Sequence, residues 1–334
     1  MIDVEAVRKH LDALAKPPRS MGRLEDLACQ LAVVQQRLDP VTRPRRVVLF
    51  AGDHGVVASG VSAWPSAVTG MMVATIAGGR ATSSALAAAQ ECDLRLIDVG
   101  VIDPPSLVAD FARIAAIAPG TADLADGPAM TVQQFDAAWA IGAEEAEAAL
   151  AEGHRVLIAG EMGIGNTTPA ACLTVLLADA PVDGAVGRGA GADDAMMTRK
   201  VRIVTAATAR ARAMLDADPR AAIAAVAGFE IAAMAGFFAA AAGGGATLLL
   251  DGYVATAGAL IAERLAPGTV RAMIAAHRSA EPGHAAALAH LGLEPLLEWD
   301  MRLGEGSGAL VALPLLDSAA ALLSGVATLA EIGA

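Results

Sequence analysis

The chain has 334 residues, 55% of them hydrophobic but only 3% aromatic. That is enough for one large α/β domain with a smaller appendage, its core built from Ala, Leu, Val and Ile on closely packed helices. A net charge of −12 with no basic run excludes nucleic acid as a partner, because neutralising phosphates needs clustered Lys and Arg.

The N-terminus, MIDVEAVRKHLDALA, carries early acids and no long apolar core, so it is not a signal peptide. The first forty-odd residues read as helical, with a break at Lys16-Pro17-Pro18 ahead of a first strand near Arg46. RVVLFAGDHG ends at Asp53-His54-Gly55, and LRLIDVGV carries Asp98 and Gly100. In VLIAGEMGIGNTTP, Val156 to Pro169, an apolar strand is expected to stop at Gly160. Gly160, Gly163 and Gly165 then surround Glu161, and Thr168 and Pro169 make an N-cap and first helical residue.

Strand, glycine turn and helix start together form an anion cradle. The segment is neither a P-loop nor a GxGxxG turn, and an ordinary βα turn accounts for its glycines equally well. Ile231 to Leu250 holds twenty residues without charge, long enough to span a bilayer. Gly243 to Gly245 interrupt it, so a buried helix, a turn and a strand ending at Asp251-Gly252 are the better reading. VRAMIAAHRSAEPGH ends at Ser279, Glu281 and His284, and the stretch from Ala309 onward is helical and apolar.

Short apolar runs alternating with long Ala-rich stretches predict βαβ units around a parallel sheet. Ligands in such sheets bind beyond the carboxyl ends of the strands, where the Gly, Asp, Glu and Asn clusters fall. Lys16, Lys200, Arg188 and Arg278 are the candidate cations for an anionic small substrate. Cys29, Cys92 and Cys172 show neither metal nor disulfide spacing and read as buried small hydrophobes in a reducing cytoplasm. His54 is expected to be structural. His284 and His290 have metal-like neighbours only in sequence, and no metal and no cofactor are expected.

The late turn Arg302-Leu303-Gly304-Glu305-Gly306-Ser307-Gly308 holds a carboxylate between glycines. A polar cap on the following helix accounts for Ser307 but not for Glu305. Here the chain resembles the nicotinate-nucleotide–dimethylbenzimidazole phosphoribosyltransferases of cobalamin lower-ligand assembly. The resemblance is carried by KPPRSMGRLE (Lys16–Glu25), AGDHGVVASGVSAWP (Ala51–Pro65), GEMGIGNTT (Gly160–Thr168), VGRGAGADD (Val186–Asp194), DGYVATAGAL (Asp251–Leu260), HRSAEPGH (His277–His284) and RLGEGSGA (Arg302–Ala309). Each motif is modest alone; seven in the family's order are specific.

The resemblance implies transfer of ribose phosphate from nicotinate mononucleotide to a benzimidazole-type base. Glu305 matches the family's catalytic Glu, a general base, and Glu161 a supporting carboxylate in the same site. Gly163, Asn166, Thr167, Gly189, Gly191, Lys200, Ser279 and Glu281 are implied to hold the nucleotide and its phosphate; for Lys200, a solvated helix face is an equal reading. Ser62, Trp64, Ser66, Met71 and Leu303 are implied to hold the base. Trp64, Ser66 and Met71 depart from the family's usual Tyr, Gln and Gln, so a base pocket more apolar and less selective than the family's is expected.

The implied fold is a doubly wound, Rossmann-like parallel α/β sheet. A small helical domain from both termini (1–40 and 306–334) flanks a catalytic domain (41–305). A cytoplasmic homodimer with no membrane partner is implied as well. Alternatives are a phosphoribosyltransferase for purines or phenols, or an idle nucleotide-binding protein on the same scaffold. Retention of both Glu161 and Glu305 argues against the idle form.

Overall fold

The computed structural model describes residues 2–106 and 109–333. Helices α1 (Val4–Asp12) and α2 (Arg23–Gln35) lead into strand β1 (Arg45–Gly52). Then come α3 (Ala67–Ala77), α4 (Thr82–Ala89), β2 (Asp93–Gly100) and the short β3 (Ala112–Ile114). The chain continues through α5 (Val132–Ala151), β4 (Val156–Met162), α6 (Thr167–Leu177), α7 (Val182–Ala185), α8 (Asp194–Arg212), α9 (Pro219–Ala224) and α10 (Phe229–Gly243). Strand β5 (Thr247–Leu250), α11 (Tyr253–Leu265), β6 (Met273–Ala275), α12 (Gly283–Leu291) and α13 (Ser307–Gly325) follow.

All strand pairs are parallel, in the order β3-β2-β1-β4-β5-β6. This doubly wound order reverses between β1 and β4, so a crevice opens at their carboxyl ends. The expected α/β sheet is therefore present, and the reversal brings the carboxyl ends of β1 and β4, which carry Asp53 and Glu161, to that edge. The run Ile231–Leu250 divides as expected into a buried helix, a glycine turn and a strand.

Every residue of β1 is buried, because helices cover both faces of the sheet. Val48, Phe50, Leu157, Ala159 and Leu248 face one core, shared with α5, α6, α8, α10 and α11. Val47, Leu49, Val156, Ile158 and Leu249 face the other, which contains residues of α1, α2, α3, α4 and α13. The chain ends meet there: Leu329 N–H donates to Ala13 O at 2.8 Å and Ala15 N–H to Ala327 O at 2.8 Å. The cluster built by the terminal helices runs on into the sheet.

With so few aromatic residues, helix contacts are made close instead of bulky. A side-chain carbon at Gly142 of α5 would collide with Ala233 O, and one at Gly236 of α10 with Trp139 O. Helix α13 has the length and apolarity to cross a membrane, yet Ala309, Leu310, Ala312, Leu313 and Leu316 lie fully buried in the second core. Cys29, Cys92 and Cys172 are buried and unpaired.

Candidate active site

The cleft at the switch point is lined by the ends of β4 and β5, the turn into α6, the 188–190 loop and residues 302–303. Strand β4 runs to Met162 rather than stopping at Gly160, so Glu161 is a strand residue in register with Phe50 of β1. Gly160 is needed for close approach and not for turning, since a side-chain carbon there would strike the backbone of Gly306 and Glu305. Glu161 and Glu305 are thereby brought together: Glu305 N–H donates to Glu161 O at 3.3 Å.

Glu161 is only 7% exposed and accepts a hydrogen bond from Asn166 Nδ2. Burial, and then the Glu230, Asp251 and Glu305 carboxylates, push its carboxyl well above the usual range, with Asn166 opposing. The environment thus favours the protonated acid at Glu161. Asn166 is the residue preceding α6, which begins at Thr167 with no side-chain cap. Thr168, expected in that place, lies instead inside the first turn, and the Asn166 side chain donates to Glu161 and does not cap the helix.

Glu305 is 3% exposed, and its Oε2 accepts from Ser83 Oγ at 2.8 Å. Gly304, Glu305 and Gly306 have φ of 91°, 58° and 70° in succession. For Glu305 this left-handed backbone is a cost of order 1 kcal/mol that only external contacts sustain. Asp251, at the end of β5, supplies one such contact. Its Oδ1 accepts from Gly308 N at 2.7 Å and Ala309 N at 3.1 Å, capping α13, whose own N-cap residue Gly306 gives no side-chain bond. Burial raises the Asp251 carboxyl, while the His277 ring and these backbone N–H groups lower it. Asp251→Ala is expected to cost about 2 kcal/mol, as for lost caps and charged hydrogen bonds. Asp251→Asn should cost less, because an amide oxygen still accepts. Chemical denaturation of the two variants checks this; equal losses would show that charge, not acceptance, matters.

Lys200, on α8, is 1% exposed, so it is not a solvated helix-face lysine. Its Nζ donates to Thr167 Oγ1 at 3.0 Å and Gly187 O at 2.8 Å. Burial brings its pKa down to about 8, with Glu281 pulling the other way. Thr167, Gly163, Ser62, Ser279 and Gly189 line the same cleft. Glu281 lines it too, but its Oε1 already accepts Gly189 N–H at 3.0 Å, so it organises the 187–189 loop and takes up a donor assigned to phosphate. Gly191, with φ of 113°, shapes that loop from outside the lining.

The residues expected to meet the base divide. Leu303 and Ser62 line the cleft. Trp64 is 51% exposed, and its indole N–H donates to Ala190 O at 3.1 Å, close to the cleft-lining loop. Ser66 and Met71 are not part of the lining, and Met71 is 66% exposed on α3. The apolar lining comes instead from Val61, Ala63, Met162, Ile164 and Leu303.

Of the candidate cations, Lys200 and Arg188 line the cleft, whereas Lys16 pairs with Glu25 at 2.8 Å and Arg278 with Glu298 at 2.7 Å. Arg302, which sequence reasoning does not single out, lines the cleft and donates to Gly189 O at 2.8 Å.

Buried polar struts support the site on two walls. His54 Nε2 lies 2.9 Å from Glu230 Oε1, with the His54 ring packed against Gly163. Thr69 Oγ1 accepts Ile164 N–H at 3.1 Å, and Asp53 Oδ2 accepts Ile102 N–H at 2.9 Å; burial raises the Asp53 carboxyl, while Ile102 N–H and the Thr69 hydroxyl lower it. At the other wall, His284 Nδ1 accepts Ser279 N–H at 2.8 Å, and its Nε2 lies 2.9 Å from Thr256 Oγ1. Burial drives His284 down to about 3, so it is a neutral strut. Among the described residues no three His, Cys, Asp or Glu side chains converge as a metal site.

A sequence model of a phosphoribosyltransferase family matches residues 3–333. The nicotinate-nucleotide–dimethylbenzimidazole phosphoribosyltransferase of Thermus thermophilus is 44% identical over 330 residues, covering 98% of this chain and 96% of that protein. The enzyme of the same name from Mycobacterium marinum is 47% identical over 329 residues, covering 98% and 91%. The crystal structure of CobT from Thermus thermophilus superposes with a TM-score of 0.95 at 43% identity, covering 99% of this chain and 98% of that one.

Proposed function

The chain belongs to the nicotinate-nucleotide–dimethylbenzimidazole phosphoribosyltransferase family, and we propose that its cleft transfers the ribose 5-phosphate of nicotinate mononucleotide to 5,6-dimethylbenzimidazole or a related base. The products are nicotinate and α-ribazole 5′-phosphate, for the nucleotide loop of cobalamin. The observation that carries the reading is the pair of buried carboxylates, Glu161 in the cleft lining together with Lys200, Arg188 and Arg302, and Glu305 just behind that lining and bonded to Glu161 through its backbone.

The ring nitrogen of nicotinate mononucleotide is positively charged, so the leaving group is activated before it binds. The lone pair of one imidazole nitrogen forms the new bond to C1′. The C1′–nicotinate bond breaks, and its electron pair neutralises the pyridinium. The proton on the other imidazole nitrogen passes to Glu305, the general base. Glu161, biased toward its protonated form by burial and three carboxylate neighbours, is the supporting group. Lys200, Thr167 and the uncapped start of α6 hold the phosphate, as helix N-termini do, while Gly163 and Ser279 border the ribose.

The base rests against Ser62, Trp64 and Leu303 on a largely apolar wall. Such a wall discriminates one methyl by only about 1–3 kcal/mol, so benzimidazole and its singly methylated form should be accepted along with dimethylbenzimidazole. Adenine should fare worse, since its extra nitrogens would be buried without partners. Chromatography of products from equal concentrations of these bases tests the function and the selectivity together. Strong preference for adenine, or a sharp loss on removing both methyls, would contradict the reading.

The working form in this proposal is a cytoplasmic homodimer. The exposed apolar positions Trp64 and Met71 support association, and the buried unpaired thiols suit a reducing compartment. The catalytic body is 41–305, with 1–40 and 306–334 as the helical unit that backs it.

A further inference from the structure

The carboxylate of Glu305 is served by a helix distant in sequence that packs in the same core as α13. Ser83 lies in the first turn of α4, is fully buried, and donates from Oγ to Glu305 Oε2 at 2.8 Å across 222 residues of sequence. Among the described residues it gives the one side-chain hydrogen bond to this carboxylate. Serine near a helix start ordinarily turns back onto its own backbone; the next residue bonds a backbone carbonyl of the preceding helix, Ser84 Oγ donating to Ile76 O of α3 at 3.2 Å. Ser83 does neither. Its hydroxyl is spent on a glutamate whose backbone is left-handed, in a turn with glycine on either side.

We propose that Ser83 is a positioning residue for the general base. The proposal rests on the reading of Glu305 as that base. A glutamate side chain has three rotatable bonds, and Glu305 is flanked on both sides by glycine. Without a fixed donor its carboxylate would sample several rotamers, few of which face the imidazole N–H of the incoming base. Tying Oε2 to a fully buried hydroxyl leaves Oε1 as the free oxygen with a defined direction. Proton transfer is steep in geometry, so this restraint acts on turnover and not on binding. The sites of the nucleotide phosphate, Lys200 and Thr167, lie on other elements and do not touch Ser83.

A double-mutant cycle is the test, with kcat and the KM for nicotinate mononucleotide measured for wild type, Ser83→Ala, Glu305→Gln and the double variant, and Ser83→Thr as the rescue. The expected result is a roughly tenfold fall in kcat for Ser83→Ala at unchanged KM, with most of the loss restored by Ser83→Thr. In the Glu305→Gln background the same alanine substitution should have almost no further effect, because there is no base left to position. An alanine effect of equal size in both backgrounds, or none in either, overturns the role of Ser83 while leaving Glu305 as the base. Wild-type-like turnover for Glu305→Gln alone overturns the base assignment and the proposal with it.

Discussion

Glu305→Gln is expected to lower turnover by roughly 10²–10⁴-fold, the usual loss when a general base is removed, while leaving folding and nucleotide affinity close to wild type. Glutamine fills the same volume, its amide oxygen still accepts the Ser83 hydroxyl, and the 3.3 Å backbone bond to Glu161 is untouched. What disappears is the ability to take a proton. Glu161 is a poor substitute, since burial and the neighbouring Glu230, Asp251 and Glu305 carboxylates favour its protonated form. Steady-state kinetics with thermal melts on the same preparation check the expectation. If turnover survives, Glu161→Gln should then abolish it, and the roles of the two carboxylates would be exchanged.

Lys200→Met is the second large effect, expected chiefly in the KM for nicotinate mononucleotide. Loss of one charged hydrogen bond to phosphate is worth about 1.5–3 kcal/mol, or about 10- to 150-fold in affinity. The melting temperature should change little, because the donors lost to Thr167 and Gly187 are offset by removing a buried ammonium that needs solvation. The wild type should also show a pH signature. Burial lowers the Lys200 pKa to about 8, so the free enzyme carries the positive charge below that pH and loses it above. Nucleotide affinity should therefore be highest below about pH 8 and weaken as pH rises through it, whereas the methionine variant should be flat over the same range. Titration calorimetry from pH 6.5 to 9.5, an interval of about three units around that value, separates the two. A wild type with no pH dependence would show that Lys200 does not meet the phosphate.

The parts of this architecture that follow from local rules are readable in the sequence. Apolar runs broken at Asp53 and Asp251 mark the ends of β1 and β5, and Gly243 to Gly245 part α10 from β5, whereas Asp98 and Glu161 lie two residues and one residue inside the ends of their strands. The start of α6 is misplaced by a cap rule that looks only at neighbours in sequence, whereas the Asn166 side chain is claimed by Glu161. Lys16 and Arg278 read as substrate cations because their partners, Glu25 and Glu298, are fixed by tertiary packing. Met71, expected against the base, points out from α3.

The carboxylate Glu305 stands out through its glycine neighbours, but nothing in the sequence ties it to Ser83 or ties Asp251 to the start of α13. Those contacts exist because α4 and α13 pack together on one face of the sheet, which brings the turn before α13 against Ser83 and the end of β5. Lys200 shows the same limit: its burial, and with it the lowered pKa, depends on α8 packing over Thr167 and Gly187. Arg302 sits inside a motif singled out for its glutamate, and its place in the cleft emerges only from the folded chain.

The central claim is that nicotinate leaves because a benzimidazole takes its place on C1′. Its most direct test is the stoichiometry of nicotinate release from nicotinate mononucleotide, with and without dimethylbenzimidazole. The account predicts negligible release without the base, and with it one nicotinate for each α-ribazole 5′-phosphate formed. Nicotinate released at the same rate in both cases, with ribose 5-phosphate as the other product, would make water the acceptor and contradict the account.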